Sequence, residues 1–305
     1  MTVHQIYRSY IKQFHSIRPS FSIVSNGFAK MKLFLAVMAC LALTQAANLP
    51  FQTPVTVRDA QEAAEKSHAR IVNGFPAAAG QFPYQVFLRG FTSGGALACG
   101  GSLISNQWVL TAAHCITGVQ RFEIVMGTIV SASPGVLGHS THFIIHPSYN
   151  ANNLNNDIGL IRLTTPVGFN QNIQAVRLPS ADRTGESFVD RIATVSGFGR
   201  TSNTGPVSPT KNWVNIRVIS NAACAAVYGS SVVVASTICG TGAQQANQST
   251  CQGDSGGPLT IQEGGASTQI GVVSFVSSAG CTSGHPSGYV RTTHFRNWIN
   301  QQTGI

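Results

Sequence analysis

Charge is scarce in this chain. Only 10% of its 305 residues are Asp, Glu, Lys or Arg, against roughly 25% in an ordinary soluble domain. With 43% hydrophobic residues, this excludes an intrinsically disordered chain, which needs low hydrophobicity and high charge. Apolar runs are short: Leu33–Leu43 falls well below the ~20 residues of a membrane-spanning helix. No Cys-x-x-Cys pair or Cys/His cluster has zinc spacing, and no short repeat occurs. Neither a metal nor a cofactor is expected.

The net charge of +9 invites a nucleic-acid reading. Its distribution argues against one. Residues 1–47 hold five Lys/Arg and no acid, 48–70 three of each, and 71–305 eleven Lys/Arg against seven acids. Over half the excess sits at the N-terminus, and the remaining bases form no run or basic helix, so no nucleic-acid partner is expected.

What the chain does have is turn residues: 31 Gly and 13 Pro. From Ile71 onward, short apolar stretches are broken by Gly, Asn, Ser and Pro. Tyr84–Leu88, Trp108–Leu110, Phe122–Met126, Ile158–Leu163, Ile192–Val195, Trp213–Ile219 and Ile270–Val276 read as strands. His294–Gln302 is the one stretch that reads as a helix, with Phe295, Trp298 and Ile299 on one face. Many short strands in one region imply an all-β sandwich or a pair of barrels.

The N-terminus reads as processing signals. Met31-Lys32, the apolar Leu33–Leu43 and Thr44-Gln45-Ala46-Ala47 form a secretory signal peptide over 31–47, cut near Ala46 or Ala47. Residues 1–30 are then an upstream extension, with Met31 the working start. Residues 48–70 are mixed in charge and lack a core pattern. Cys40 leaves with the signal. Cys99, Cys115, Cys224, Cys239, Cys251 and Cys281 remain, an even set in a chain bound for an oxidising compartment. Six cysteines allow 15 connectivities, and counting alone does not choose among them.

Three segments carry chemistry: Thr111-Ala112-Ala113-His114-Cys115, Asn156-Asp157-Ile158-Gly159-Leu160 and Gly253-Asp254-Ser255-Gly256-Gly257-Pro258. A serine hydroxyl is a weak nucleophile at neutral pH and needs a base within hydrogen-bond reach. Histidine suits that task, and a buried carboxylate orients its ring and stabilises the imidazolium. Glycines beside the serine let backbone N–H groups turn toward a developing oxyanion. His114, Asp157 and Ser255 fill these roles in that chain order.

These segments, with Ile71-Val72-Asn73-Gly74, Gly197-Phe198-Gly199 and Val273-Ser274-Phe275 in the same order, make residues 71–305 resemble the chymotrypsin-type secreted serine proteases. Within that family the look is nearest to arthropod digestive chymotrypsin-like and collagenolytic enzymes. The resemblance implies two antiparallel six-stranded Greek-key β-barrels with a C-terminal helix and the active site between the barrels. It gives the oxyanion-hole N–H groups to Gly253 and Ser255, a hydrogen bond to Asp157 to Ser274, and pairing with substrate backbone to Ser274, Phe275 and Val276. It also chooses a connectivity: Cys99–Cys115, Cys224–Cys239 and Cys251–Cys281. The calcium loop of the family needs acids that are absent between Glu123 and Asp157. The sole sequon, Asn247-Gln248-Ser249, falls at the specificity pocket, where a glycan is not expected.

The same resemblance implies a zymogen. Residues 48–70 become an activation propeptide, cut by a trypsin-like protease at Arg70-Ile71 so that the Ile71 amine pairs with Asp254. With no cysteine between Ala47 and Arg70, the propeptide is not tethered. Ser249 stands where trypsin-like members carry Asp, and Ser287 is also neutral, so Lys and Arg side chains are expected to be rejected. Val276 and Ser287 replace pocket glycines and narrow the slot, favouring Leu, Met, Ala or Val over Phe and Trp. The expectation is a secreted, monomeric, digestive endopeptidase acting on proteins and peptides and blocked by protein protease inhibitors, with no membrane partner.

Overall fold

The computed structural model describes residues 51–56, 71–133 and 135–305. The expected signal peptide, the upstream extension and Arg70 lie outside the described residues. Among the described residues there are fifteen strands: β1 (Pro54–Thr56), β2 (Phe75–Pro76), β3 (Gln85–Thr92), β4 (Gly95–Leu103), β5 (Trp108–Thr111), β6 (Arg121–Met126), β7 (Val136–Ser140), β8 (His142–Ile145), β9 (Gly159–Arg162), β10 (Ile192–Gly197), β11 (Asn212–Ile219), β12 (Thr237–Gly242), β13 (Pro258–Glu263), β14 (Ala266–Ser277) and β15 (Ser287–Arg291). The α-helices among the described residues are α1 (Ala113–Ile116), α2 (Asn221–Tyr228) and α3 (Arg296–Thr303).

The strands make two antiparallel sheets. The first runs β7-β6-β3-β4-β5-β9-β8. Its two edges, β7 and β8, are successive in the chain with only Thr141 between them, so the sheet is curled back on itself. Ser140 Oγ fixes the kink by donating to the carbonyls of Arg162 (2.6 Å) and His142 (3.0 Å). The second runs β14-β13-β10-β11-β12-β15 and closes through β14–β15 into a six-stranded barrel. In each sheet the fourth strand returns beside the first (β6 beside β3, β13 beside β10), the Greek-key order.

Alternation drives both sheets. Along β11, Val214, Ile216 and Val218 are fully buried while Asn215 and Arg217 point outward, the period of two that a pleated strand imposes. Burying each such side chain stabilises by about 1.5–3 kcal/mol. The first core holds Val86, Leu88, Leu110, Ile124 and Leu160; the second holds Val195, Val214, Ile216, Leu259 and Val273. Phe295, just before helix α3, and Ile299 within it sit on the first core, and His146 meets Phe295 and Trp298 edge-on at 5.0 Å each.

The reading of a single helix is corrected by α2. Ser220 caps it by accepting from the Ala223 N–H at 3.2 Å, and the alanine-rich run behind it has high helix propensity. Eight residues with few large apolar groups leave a weak periodic signal. The bridges are Cys99–Cys115, Cys224–Cys239 and Cys251–Cys281.

Candidate active site

The junction between the sheets gathers the three motifs. Helix α1 follows β5 after one residue and carries His114. Asp157 lies two residues before β9 and is fully buried. One carboxylate oxygen, Oδ1, accepts from the His114 backbone N–H at 2.9 Å; the other, Oδ2, sits 2.7 Å from His114 Nδ1. Oδ2 also accepts from Ser274 Oγ at 2.6 Å. The carboxylate thus holds both the backbone and the ring of His114, leaving Nε2 as the nitrogen that faces away from it.

A bulge delivers Ser274. Val273 pairs with Tyr289 and Phe275 with Gly288, so β14 has one extra residue there, and that residue is Ser274. A bulge re-aims the side chain of its extra residue, and here the hydroxyl meets Asp157. The next residue, Phe275, lies over Gly288 so closely that a Cβ at 288 would fall 2.1 Å from its ring.

Ser255 sits on a turn between β12 and β13. Gly253 and Gly256 have φ of +96° and +77°, a region that glycine enters without penalty. A Cβ on Gly256 would stand 2.1 Å from Thr111 Oγ1 and 3.1 Å from Ala112 N. The serine turn is therefore pressed against the strand end that leads into α1. The Ser255 carbonyl accepts from the Gly100 N–H at 2.7 Å, a second tie between the sheets. Ser255 is fully buried, and its Oγ makes no hydrogen bond among the described residues. The base–nucleophile bond is often long before substrate arrives. The N–H groups of Gly253 and Ser255 are not donors in any hydrogen bond among the described residues.

Asp254 turns away from Ser255 and is fully buried. It accepts from the N–H of Gly199 (2.8 Å) and of Cys251 (3.0 Å). Burial pushes its pKa up from 3.8 to about 7, against those two bonds. Glycines house it: a Cβ would approach an Asp254 carboxylate atom to 2.1 Å from position 197 and to 2.4 Å from position 199. This gives the Gly197-Phe198-Gly199 motif a physical reason that the sequence alone did not supply. Ile71 and Val72 are buried in the second core, and Val72 bridges Ser249. Gln248 Nε2 donates to the Asn73 carbonyl at 3.1 Å.

Ser249 and Ser287 are both buried with their hydroxyls 2.8 Å apart, and Ser249 Oγ also donates to the Thr250 carbonyl at 2.9 Å. Val276, which follows Phe275 on β14, is 2% exposed. Cys99, Cys115 and His114 bring their ligand atoms within 4.8 Å of one another. The two sulfurs are joined in a disulfide, so they offer no thiolate to a metal. Among the described residues no helix is long and apolar enough to cross a membrane.

A serine, an imidazole and a buried carboxylate where a curled sheet meets a closed β-barrel are the equipment of peptide-bond hydrolysis through an activated hydroxyl, and the class is the serine endopeptidases. Comparison with known proteins agrees. The model of the Trypsin family matches residues 71–299, and the chain belongs to that family. It is 39% identical to a collagenase of Hypoderma lineatum over 276 residues, 90% of this chain and 99% of that protein. It is 38% identical to a brachyurin of Leptuca pugilator over 241 residues, 77% of this chain and 99% of that protein. A solved structure described as HL collagenase superposes with a TM-score of 0.71 at 39% identity, covering 77% of this chain and 99% of its own.

Proposed function

We propose that the protein is a secreted serine endopeptidase, made as a zymogen, that cleaves after apolar residues through an acyl-enzyme. The observation carrying this reading is the His114–Asp157–Ser274 network set against the Ser255 turn. Ser255 Oγ attacks the scissile carbonyl while His114 Nε2 takes its proton. Asp157 orients the ring and balances the imidazolium. The N–H groups of Gly253 and Ser255 receive the oxyanion. His114 then returns the proton to the departing amine, and a water repeats the cycle on the ester.

Substrate backbone adds as a strand to Ser274, Phe275 and Val276. Ser249 forms the pocket floor and Ser287 its wall. A guanidinium buried there has no carboxylate to meet, which costs several kcal/mol, so Lys and Arg are rejected. Val276 and Ser287 narrow the slot toward Leu, Met, Ala or Val. Activation is cleavage at Arg70-Ile71 by a trypsin-like protease, after which the Ile71 amine pairs with Asp254. The buried position of Ile71–Val72 beside Ser249 supports this route. The domain spans 71–305, preceded by the propeptide 48–70. The enzyme is monomeric, digestive and open to protein inhibitors.

The test is kcat/KM on matched peptides ending in Ala, Leu, Phe and Arg, with the trypsin-activated protein. The aliphatic peptides are expected to lead. Preference for Arg overturns the pocket assignment, and an active Ser255→Ala protein overturns the nucleophile.

A further inference from the structure

The described residues ahead of Ile71 are Phe51–Thr56, and they lie along the second barrel. Strand β1 is antiparallel to the end of β14: Pro54 is opposite Ser277, Val55 opposite Val276 and Thr56 opposite Phe275. Just before it, the Gln52 N–H donates to the Val227 carbonyl at the end of α2 (2.7 Å), and the Ser278 N–H donates to the Thr53 carbonyl (3.1 Å).

That last bond sets the alternation of the ladder. Thr53 and Ser278 form a hydrogen-bonded pair, so Pro54 occupies the following non-bonded pair, where its missing N–H costs nothing. Val55 is then the next bonded pair, with Val276. Its side chain packs on the core cluster that contains Ile71, Val273 and Val276, while Thr56 is 5% exposed. Chain direction matters as much as register. From Pro54 to Thr56 the segment advances from Ser277 toward Ser274, the residue bonded to Asp157. A substrate strand in this register and direction runs on from Phe275 toward Ser274.

From this juxtaposition we propose that the propeptide carries a substrate-shaped inhibitor, residues 51–56, which pairs along the substrate-binding strand before activation and rebinds there in competition with substrate after release. The inference rests on the reading of Ser274–Val276 as the substrate-binding strand. Its logic is effective concentration. Tethered to Ile71, the segment meets its groove at ~mM concentration, so modest affinity keeps the groove occupied. Cleavage at Arg70-Ile71 removes the tether, and dilution clears the groove. The zymogen is thereby guarded twice, once at Asp254 and once along β14.

The experiment uses protein activated by trypsin and freed of trypsin and propeptide. A synthetic peptide of residues 48–70 is added, and initial rates are followed on a short aliphatic amide substrate. The expected result is competitive inhibition: KM rises and kcat holds. A Val55→Pro peptide, which removes the N–H facing Val276, is expected to need about tenfold more, equivalent to about 1.4 kcal/mol. A Val55→Ala peptide keeps the N–H and most of the effect. In the intact Arg70→Gln chain, amide exchange at Val276 and Ser278 is expected to be slow, and Val55→Pro to accelerate it. Absence of inhibition, inhibition of kcat alone, equal potency of the Val55→Pro peptide, or rapid hydrolysis of the peptide by the enzyme each overturns the proposal. Cleavage of the amide substrate in the control without peptide reports on the protease reading separately.

Discussion

Cutting one peptide bond is expected to remove a pH trend in stability, and Asp254 is the reason. In the uncut chain its carboxylate is fully buried and, among the described residues, receives only backbone donors, from Gly199 and Cys251. Burial raises its pKa from 3.8 to about 7. About three units at 1.36 kcal/mol each make ionisation inside the fold cost roughly 4 kcal/mol relative to the unfolded chain. Because the folded pKa is the higher one, the folded state binds the extra proton between about pH 4 and about pH 7. Stability from this group is therefore full below about pH 4 and is lost as pH rises through about 7.

Activation supplies a cation. If the freed Ile71 amine pairs with Asp254, the carboxylate is held ionised and the loss across pH 4–7 disappears. A free α-amine titrates near about 8, and pairing raises that value, so the new stability fades only in alkali. The comparison is Arg70→Gln protein against trypsin-cut protein, both carrying Ser255→Ala to prevent autolysis. Urea unfolding at pH 4.5, 6 and 7.5 gives the slopes. Groups shared by both forms cancel in the difference, and Asp254→Asn in the uncut form is expected to flatten its slope. Equal slopes in the two forms refute the reasoning, as does an uncut form that gains stability from pH 4.5 to 7.5 relative to the cut one.

Gly199→Ala is expected to destabilise by about 1–3 kcal/mol and to abolish activity, because its Cβ would lie 2.4 Å from the Asp254 carboxylate; thermal melts and amide-substrate rates check this. Val276→Gly with Ser287→Gly is expected to raise kcat/KM for Phe over Ala peptides by roughly 10- to 100-fold, the worth of a few methylenes in an apolar pocket. Lys211, buried under Phe198 with its Nζ 5.7 Å from the ring, has its pKa lowered by burial from 10.5 to about 8. The unfolded chain then binds more protons between about pH 8 and 10.5, so stability rises with pH across that window. Lys211→Met is expected to stabilise by roughly 2 kcal/mol at pH 7, with the gain shrinking toward pH 10 in urea titrations.

The sequence exposed those parts of the site whose chemistry is local. Gly253–Pro258 shows its turn in its own glycines, and β5 shows its burial in Trp108–Leu110. The strand readings agree with β3, β6, β10, β11 and β14 to within a few residues, because alternation is written into neighbouring positions. Residues whose meaning depends on a distant partner were opaque. Gly199 looks like any turn glycine until Asp254 occupies the space a side chain would need. Thr111 looks like an ordinary strand end until its hydroxyl is seen donating to the Gly100 carbonyl at 2.9 Å beneath the serine turn. Strand β1 falls in the propeptide stretch 48–70, whose mixed charge shows no core pattern. The clue is three β-branched residues, Thr53, Val55 and Thr56, around Pro54, too few to register alone.

The same distinction explains how two barrels hold a site neither contains. His114 and Asp157 come from the first sheet, Ser255 and Ser274 from the second, and apolar burial is non-directional, so it cannot fix one sheet against the other to a fraction of an ångström. The junction is instead crossed by buried directional bonds. Ser102 Oγ donates to Gln269 Oε1 (2.6 Å), Ser196 Oγ to Gln85 Oε1 (2.8 Å), and Tyr84 Oη meets Thr260 Oγ1 at 3.2 Å. Each of these polar groups costs free energy when buried without its partner, so a relative slip of the sheets breaks several at once. The Ser274–Asp157 bond belongs to this set. It orients the carboxylate that orients His114, and it also registers β14 against the first barrel. A side chain there serves position and chemistry through the same 2.6 Å contact.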